Sequence, residues 1–449
     1  MKVIKGTIVL VFVLVASVFL IGPLLGLPSN YVIHGPNVGS GIGSKLLCSA
    51  RYVSGYSREQ AFEDLIQYSA ILELLTIEYD DANQSVTTSL FGIQGKTATA
   101  LPNLGCAVDY PGTDARYAIK AQPISPSNDP WPRGSGVATL NNELQTLVEE
   151  IVATDNRAGL NTRALLVVKG GQILAEVYDQ EAGPQTPLLG WSMAKSLIAL
   201  ALGNLEYRSL VDLSASPGFP EWDDARAEIT VVDMLNMADG LEFSEEYEPG
   251  DDVTAMLFTV PSPAAYVLQQ NALHEPGTFF NYSSGTANLL SRVYQDALGS
   301  AQNAYDDFQD NVFRPMGFQH AVFETDAGGV FVGSSYFYAS ARDWARLGQL
   351  MLNKGTLNNQ RIVSEDWVSR ATSPNNTANE KAYGYQWWLN SGDQRLRFPS
   401  LPADTFYANG NRQQFVMVFP SEDTVIVRLG WTGGRYPVSE NFGKILEQL

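Results

Sequence analysis

The chain has 449 residues, a hydrophobic share of 45% and a net charge of −19. That share supplies a sizeable core and excludes wholesale disorder, and the length indicates one large or two smaller domains. The negative charge argues against nucleic acids and anionic lipid headgroups as the main binding partners.

The first 27 residues differ from the rest of the chain. Lys2 and Lys5 precede an uncharged, apolar run over residues 7–25, and about 19 to 20 such residues cross a bilayer as one helix. The pattern predicts an uncleaved membrane anchor, with the lysines in the cytoplasm and the remaining chain on the extracytoplasmic, periplasmic side. A cleaved signal peptide is the alternative interpretation.

Two changes in composition divide the remaining chain. Residues 28–45 are rich in Gly, Pro and Ser, which is typical of a linker. Residues 121–136 contain four prolines, which indicates a domain boundary. We therefore expect a linker and a small N-terminal segment over residues 28–135, followed by the main domain over residues 136–449.

The only two cysteines, Cys48 and Cys106, bracket the small N-terminal segment. Their even count and the predicted export favour a disulfide between them, with two buried thiols as the alternative. Neither cysteine lies near a candidate histidine partner in the sequence, so a cysteine nucleophile is disfavoured.

Short-range patterns in the main domain predict β-hairpins near its two ends and helices between them. Sheet from both ends of a domain, with helices from its middle, indicates an α+β fold in which helices cover an antiparallel sheet. The predicted elements are hairpins over residues 164–178 and 415–429 and helices over residues 140–153, 341–352 and 439–449.

The strongest chemical signal is Ser192-Met193-Ala194-Lys195, the only S-x-x-K pattern in the chain. Residues i and i+3 share one helix face, so the Lys195 amine is expected to reach the Ser192 hydroxyl. The apolar run that follows predicts a buried helix, and burial near a helix N-terminus favours a neutral lysine. A neutral lysine is the base that a serine nucleophile needs. A surface serine and lysine at a helix start is the alternative.

Other kinds of catalytic site fit the sequence less well than the Ser192–Lys195 pair. A Ser-His-Asp triad would need His274 or His320, and with three histidines in the chain a histidine zinc site is nearly excluded. The residues around Ser192 depart at Ala194 from the G-x-S-x-G turn of α/β-hydrolases. That turn requires a strand leading into it, and here prolines interrupt the approach. An α/β-hydrolase remains an alternative.

Tyr282 is a second candidate for proton transfer. It follows a Pro276-Gly277 turn and precedes a helical run that begins near Thr286. A tyrosine of lowered pKa would relay the proton to a leaving group. A core tyrosine that caps this helix is the alternative.

These residues resemble the class C β-lactamase-related serine hydrolases, especially the branch of 6-aminohexanoate-dimer hydrolases and esterases. The resemblance covers about residues 136–449. It implies a β-lactamase/transpeptidase-like fold and substrate-binding roles for Ser284, Asn411 and Gln414. The stretches that carry it are residues 192–195, 237–240, 276–285, 340–348 and 383–387.

One stretch departs from the family pattern. The family has K-T-G or G-H-x-G-Q before the last hairpin, whereas this chain has Asn411 at the histidine position. Asparagine donates a hydrogen bond to a carbonyl or carboxylate but brings no positive charge for a β-lactam carboxylate. Esterase or amidase activity is therefore expected ahead of β-lactamase activity. An ordinary turn residue is the alternative for Asn411.

The resemblance implies acyl transfer through Ser192 on a small-molecule amide or ester, with Lys195 and Tyr282 moving protons. The backbone N–H groups of Ser192 and of the strand near Gln414 would form the oxyanion hole. No metal or organic cofactor is implied. A cell-wall or β-lactam-binding protein that acylates without turnover is the alternative on the same fold.

Overall fold

A six-stranded antiparallel sheet forms the centre of the main domain in the computed structural model, which describes residues 29–449. Both predicted hairpins are confirmed, because each supplies two neighbouring strands of this sheet. The predicted α+β fold is confirmed as well. In spatial order the strands are Trp388–Leu389, Phe406–Gly410, Gln414–Phe419, Thr424–Gly430, Thr162–Lys169 and Gln172–Tyr178.

Both faces of this sheet are buried, because its central strands are apolar at nearly every position. Successive side chains on a strand point to opposite faces, so Val416 and Val418 enter one core while Phe415 and Met417 enter the other. The helices Asn142–Arg157 and Val438–Gln448 cover the Phe415 face.

The opposite face carries the larger core and most of the helices. Two of these helices position the candidate site: Ala194–Tyr207, which we call the nucleophile helix, and Ser284–Leu298, which we call the tyrosine helix. The predicted helix over residues 341–352 is confirmed as Ala341–Leu352. The remaining helices of this domain are Val231–Leu235, Asp252–Phe258, Pro263–Val267, Ala301–Phe308, Arg314–Met316 and Glu365–Ala371.

Two small sheets complete the main domain. The strand Leu188–Leu189 leads toward Ser192 and pairs antiparallel with Phe337–Ala339, which also pairs with Ala321–Phe323. The second is the hairpin Thr356–Leu357 with Gln360–Arg361. The strand before the serine is therefore short and antiparallel, and this sheet geometry rules out the α/β-hydrolase alternative.

The segment expected to be a linker is instead a helix, Ser29–Tyr52, which we call the N-terminal helix. Its glycines allow close packing. A Cβ on Gly41 would collide with the carbonyl oxygen of Phe258, and a Cβ on Gly43 would lie 2.8 Å from Leu75 and 2.9 Å from Thr88. Composition indicated flexibility, but small residues also let a helix approach its neighbours closely, and packing decides the outcome here.

The rest of the small N-terminal segment is a helix and a four-stranded antiparallel meander. Cys48 of the N-terminal helix and Cys106 of the last strand form a disulfide. Beside it, Lys45 forms a fully buried ion pair with Glu324 of the main domain. The segment is thus packed directly onto the main domain. Its other elements are Arg58–Ile66, Leu75–Asp80, Ser85–Leu90, Ile93–Leu101 and Gly105–Val108.

The predicted membrane association requires correction. Within residues 29–449, no helix combines the length and the apolar character that crossing a bilayer demands. This finding contradicts the transmembrane and periplasmic localisation predicted from the sequence. The predicted anchor itself, residues 1–27, lies outside the described residues.

Candidate active site

Ser192 lies on a tight turn between a short strand and the nucleophile helix. The preceding residue, Trp191, has a positive φ of 49°, a backbone conformation that non-glycine residues rarely adopt. Gly190 must be glycine, because the ring of Trp344 occupies the space of its Cβ. A Cβ on Gly410 would collide with the Gly190 carbonyl oxygen. The turn is therefore held between the helix Ala341–Leu352 and the end of a main-sheet strand.

The Lys195 amine lies next to the Ser192 hydroxyl, as the S-x-x-K spacing predicts. Nζ of Lys195 is 3.0 Å from Oγ of Ser192, 3.0 Å from Oγ of Ser284 and 3.1 Å from the Ser334 carbonyl oxygen. Ser192 is partly exposed, whereas Lys195 is 1% exposed. A small molecule therefore has access to the serine but not to the lysine.

Burial lowers the pKa of Lys195 from 10.5 to about 8. The nucleophile helix supplies this environment, since its residues from Ala194 to Leu205 are all buried. The Glu245 carboxylate acts in the opposite direction and raises the lysine pKa, but desolvation is the larger effect. Lys195 is therefore neutral in a large fraction of molecules near pH 8, which a general base requires.

Tyr282 lies across the site from the nucleophile helix. Nζ of Lys195 is 4.9 Å from the centroid of the Tyr282 ring, and Trp388 stacks on this ring at 5.3 Å. Burial and the nearby Glu245 raise the pKa of Tyr282, while a hydrogen bond with Ser192 lowers it less. The expected lowered pKa is thus wrong in direction: the phenol stays protonated at neutral pH and is a proton donor.

A turn at residues 237–240 holds the tyrosine segment in place. The carbonyl oxygen of Met237 accepts a hydrogen bond from the backbone N–H of Asn281 at 2.8 Å. The buried Asp239 carboxylate accepts from the Thr286 hydroxyl at 2.6 Å and from the backbone N–H of Leu241 at 3.0 Å. This stretch, which contributes to the family resemblance, therefore fixes the backbone on both sides of Tyr282 through Asn281 and Thr286.

Glu245 belongs to the site, although nothing in its sequence context indicates this. Its carboxylate accepts two hydrogen bonds from Ser284, at 2.7 Å from the backbone N–H and at 2.5 Å from the hydroxyl. Ser284, expected to bind substrate, therefore lies between Lys195 and Glu245, with its hydroxyl proton directed to the carboxylate. Glu246 and Glu248 follow in the same acidic stretch, so no local pattern distinguishes Glu245.

Asn411 and Gln414, the other two expected substrate-binding residues, have different environments. Asn411 is partly exposed and lines a cavity beside Trp191. Gln414 is buried, and its side-chain amide bonds to the hairpin backbone: Nε2 donates to the Asn411 carbonyl oxygen at 3.1 Å, and Oε1 accepts from the Gly430 N–H at 2.9 Å. The Gln414 side chain thus stabilises the hairpin.

Arg412 is the only charged residue of the hairpin turn at residues 411–413, and its guanidinium is buried. The Arg412 guanidinium lies 4.1 Å from the ring centroid of Tyr68, in the N-terminal segment, and 5.8 Å from that of Trp431. Its side chain is 8% exposed. The arginine therefore joins the hairpin to the N-terminal segment.

The two candidate histidines, His274 and His320, contact residues other than Ser192. His274 is exposed and stacks on Phe279 at 4.3 Å. The backbone N–H of His320 donates to the Asp343 carboxylate at 2.7 Å. In the described part of the chain, neither histidine is a hydrogen-bond partner of Ser192, so Lys195 is the base candidate that the geometry offers.

Comparisons with known proteins identify relatives and structures that this chain resembles. The 6-aminohexanoate-dimer hydrolase of Paenarthrobacter ureafaciens is 24% identical over 339 residues, which cover 69% of this chain and 80% of that protein. A family VIII carboxylesterase structure has a TM-score of 0.52 at 16% identity and covers 69% of this chain and 98% of its own. A penicillin-binding protein homologue from Caulobacter crescentus has a TM-score of 0.53 at 13% identity, with coverage of 69% and 97%.

The two solved structures share the fold of this chain, and the resemblance predicted from the motifs is confirmed. The family model described as Beta-lactamase matches residues 144–437, which is more than half of the chain. The matched range contains Ser192, Lys195, Tyr282 and the hairpin with Asn411. The chain therefore belongs to the Beta-lactamase family.

Proposed function

We propose that this protein is a serine hydrolase that cleaves an amide or ester through an acyl-enzyme on Ser192. The observation that carries the proposal is the 3.0 Å separation between Nζ of a buried Lys195 and Oγ of a partly exposed Ser192. One relative is named a 6-aminohexanoate-dimer hydrolase, and one structural neighbour is named a family VIII carboxylesterase. These names support hydrolysis of an amide or ester bond.

The first step is acylation. Neutral Lys195 takes the hydroxyl proton of Ser192 while Oγ attacks the substrate carbonyl carbon. The backbone N–H groups of Ser192 and of the strand that begins at Gln414 would stabilise the oxyanion. This backbone role fits a hairpin whose Gln414 side chain is already bonded to Gly430.

Collapse of the tetrahedral intermediate requires a proton for the leaving group. Tyr282 supplies it, because burial and Glu245 keep its pKa high and its phenol protonated. Lys195, now an ammonium, returns its proton to the phenolate. Water then attacks the acyl-enzyme with Lys195 as base, and this step releases the acid and regenerates Ser192.

The expected substrates are uncharged around the scissile bond. Asn411 brings no positive charge to the hairpin turn, and the Arg412 guanidinium is buried against Tyr68. A β-lactam carboxylate would therefore lack a cationic partner at this turn. We expect esters and short amides to be hydrolysed faster than a cephalosporin.

The test is a panel of chromogenic esters, short amides, D-amino peptides and a cephalosporin, measured on the wild type and on Ser192→Ala. A fluorophosphonate should add its mass to the peptide that contains Ser192, and the serine variant should lose both labelling and turnover. Labelling at another serine, with full turnover in Ser192→Ala, would refute the assignment. Labelling of Ser192 without turnover of any substrate would favour a non-turnover binding protein.

A further inference from the structure

An apolar cavity of about 150 Å³ lies between the N-terminal segment and the candidate active site. One wall comes from the N-terminal helix and from the short 3₁₀ helix Ala70–Leu74, which contains Ile71 and Leu72, and the other comes from the main domain. Among the residues that the structure describes, no charged side chain lines it. The side chains that matter here are Val38, Ile42, Ile71, Leu72, Trp191 and Phe258.

Residues next to the groups proposed to act on the substrate line this cavity. Trp191, in its wall, directly precedes Ser192, and Asn411 of the hairpin turn also lines it. Tyr247, a third wall residue, places its hydroxyl 3.4 Å from the Glu245 carboxylate, which holds Ser284. The cavity therefore lies one residue from the proposed nucleophile, at Trp191.

The N-terminal wall lies outside the part of the chain that defines the family. The family model begins at residue 144, whereas Val38, Ile42, Ile71 and Leu72 precede it by at least seventy residues, as their numbers show. The wall is nevertheless firmly attached, through the Lys45–Glu324 ion pair and the close contact of Gly41 with Phe258. This extension therefore lines the cavity with residues that the family match does not include.

We propose that the cavity binds the apolar acyl chain of the substrate, with the N-terminal helix as its outer wall. The proposal rests on the proposed function, because it assumes a carbonyl at Ser192. An apolar cavity of about this volume holds a molecule the size of benzene, so about six carbon atoms fit. Because no charged group lines the space, an aliphatic or phenyl chain is the complementary occupant and a charged chain is not.

The first experiment measures kcat/KM for p-nitrophenyl esters from acetate to octanoate, a series with one leaving group and a varied acyl chain. We expect the hexanoate ester to exceed the acetate ester by at least about tenfold, since one methylene in an apolar pocket is worth roughly tenfold or more. Ile42→Phe should shift the preference toward shorter chains, and Ile42→Ala toward longer ones. Ile33→Phe, at a 51% exposed position on the same helix, should leave the profile unchanged.

A second experiment measures binding without chemistry. The thermal midpoint of Ser192→Ala should rise more with hexanamide than with acetamide, and Ile42→Phe in that background should remove the difference.

If esters are hydrolysed at rates independent of chain length, or if both Ile42 variants keep the wild-type profile, the acyl pocket is refuted and the hydrolase stands. If no ester is hydrolysed but hexanamide binding shows the expected preference, the pocket stands and the hydrolase falls. Absence of both effects refutes both.

Discussion

Glu245 and Ser284 are joined by two hydrogen bonds, because the carboxylate accepts from both the backbone N–H and the hydroxyl of the serine. The same hydroxyl lies 3.0 Å from the Lys195 amine. Glu245 therefore orients Ser284 toward the proposed base and places a negative charge near it. Its effect on the site is both geometric and electrostatic.

Removal of the Glu245 charge should move the pH profile. Glu245 raises the pKa of Lys195 against the larger effect of burial, so Glu245→Gln should lower that pKa further. The rising limb of kcat/KM should shift to lower pH by about one unit, the size expected for a nearby opposite charge. Glu246→Gln, at an exposed neighbouring position, is the matched control. A profile that stays in place, or moves to higher pH, contradicts this role.

The wild-type pH profile should report the buried lysine. The folded-state pKa of Lys195 is about 8, below its usual 10.5. Below pH 8 the amine is mostly protonated and cannot accept the Ser192 proton, so kcat/KM should rise about tenfold per pH unit and level off above pH 8. The measurement covers about pH 5.5 to 10, with circular dichroism to confirm folding throughout. A midpoint near 6.5 that disappears in His274→Ala or His320→Ala would identify a histidine base instead.

Lys195 and Tyr282 should behave as one unit. Lys195→Ala and Tyr282→Phe should each lower kcat by at least about a hundredfold, the low end for general acid–base catalysis. Groups that share one proton give non-additive losses, so the double variant should lose much less than the product of the two. Tyr383→Phe, in the aromatic cluster beside Tyr282, separates loss of packing from loss of the proton donor. If the kcat loss of the double variant equals the product of the two single losses, the two groups act independently.

The Cys48–Cys106 bond should contribute to stability. It closes a loop with a sequence separation of 58 residues, for which the chain-entropy model gives about 4 kcal/mol. Replacement of both cysteines by serine should lower the unfolding free energy by an amount of this order, measured by denaturant unfolding. Non-reducing peptide mapping of the wild type should recover one cross-linked pair. Two free thiols would refute the pairing.

Two glycine substitutions should have opposite effects on stability. Gly41→Ala places a Cβ against the backbone of Phe258 and should destabilise the contact between the N-terminal helix and the main domain. Gly443→Ala, in the helix Val438–Gln448, meets no atom within 4 Å and should stabilise by about 0.5–1 kcal/mol. Thermal unfolding of both variants tests this. A Gly41→Ala protein as stable as the wild type would contradict the close packing of the N-terminal helix.

Elements that depend on short-range sequence were predictable. A turn and its two flanking apolar runs specify a hairpin locally, and both hairpins occur as predicted. Lys195 follows Ser192 by three positions at the start of the nucleophile helix, so the backbone itself brings Oγ and Nζ together. The nucleophile–base pair is therefore the part of the site that sequence indicates most directly.

Contacts between distant segments were not predictable in this way. Glu245 precedes Ser284 by 39 residues and resembles the other acids beside it until the fold places it there. The direction of the Tyr282 pKa depends on burial and on that same carboxylate.

The N-terminal helix shows the same division between sequence and structure. Residues 28–45 alone read as a flexible linker, because glycine and proline lower helix propensity. The gain from packing Gly41 against Phe258, and Gly43 against Leu75 and Thr88, exists only once those segments have met. Sequence by itself determined the local turns, the S-x-x-K spacing of Ser192 and Lys195 at the start of the nucleophile helix, and the family. Only the tertiary structure decided which distant charges and apolar surfaces surround them, because burial and electrostatic fields arise from the assembled chain.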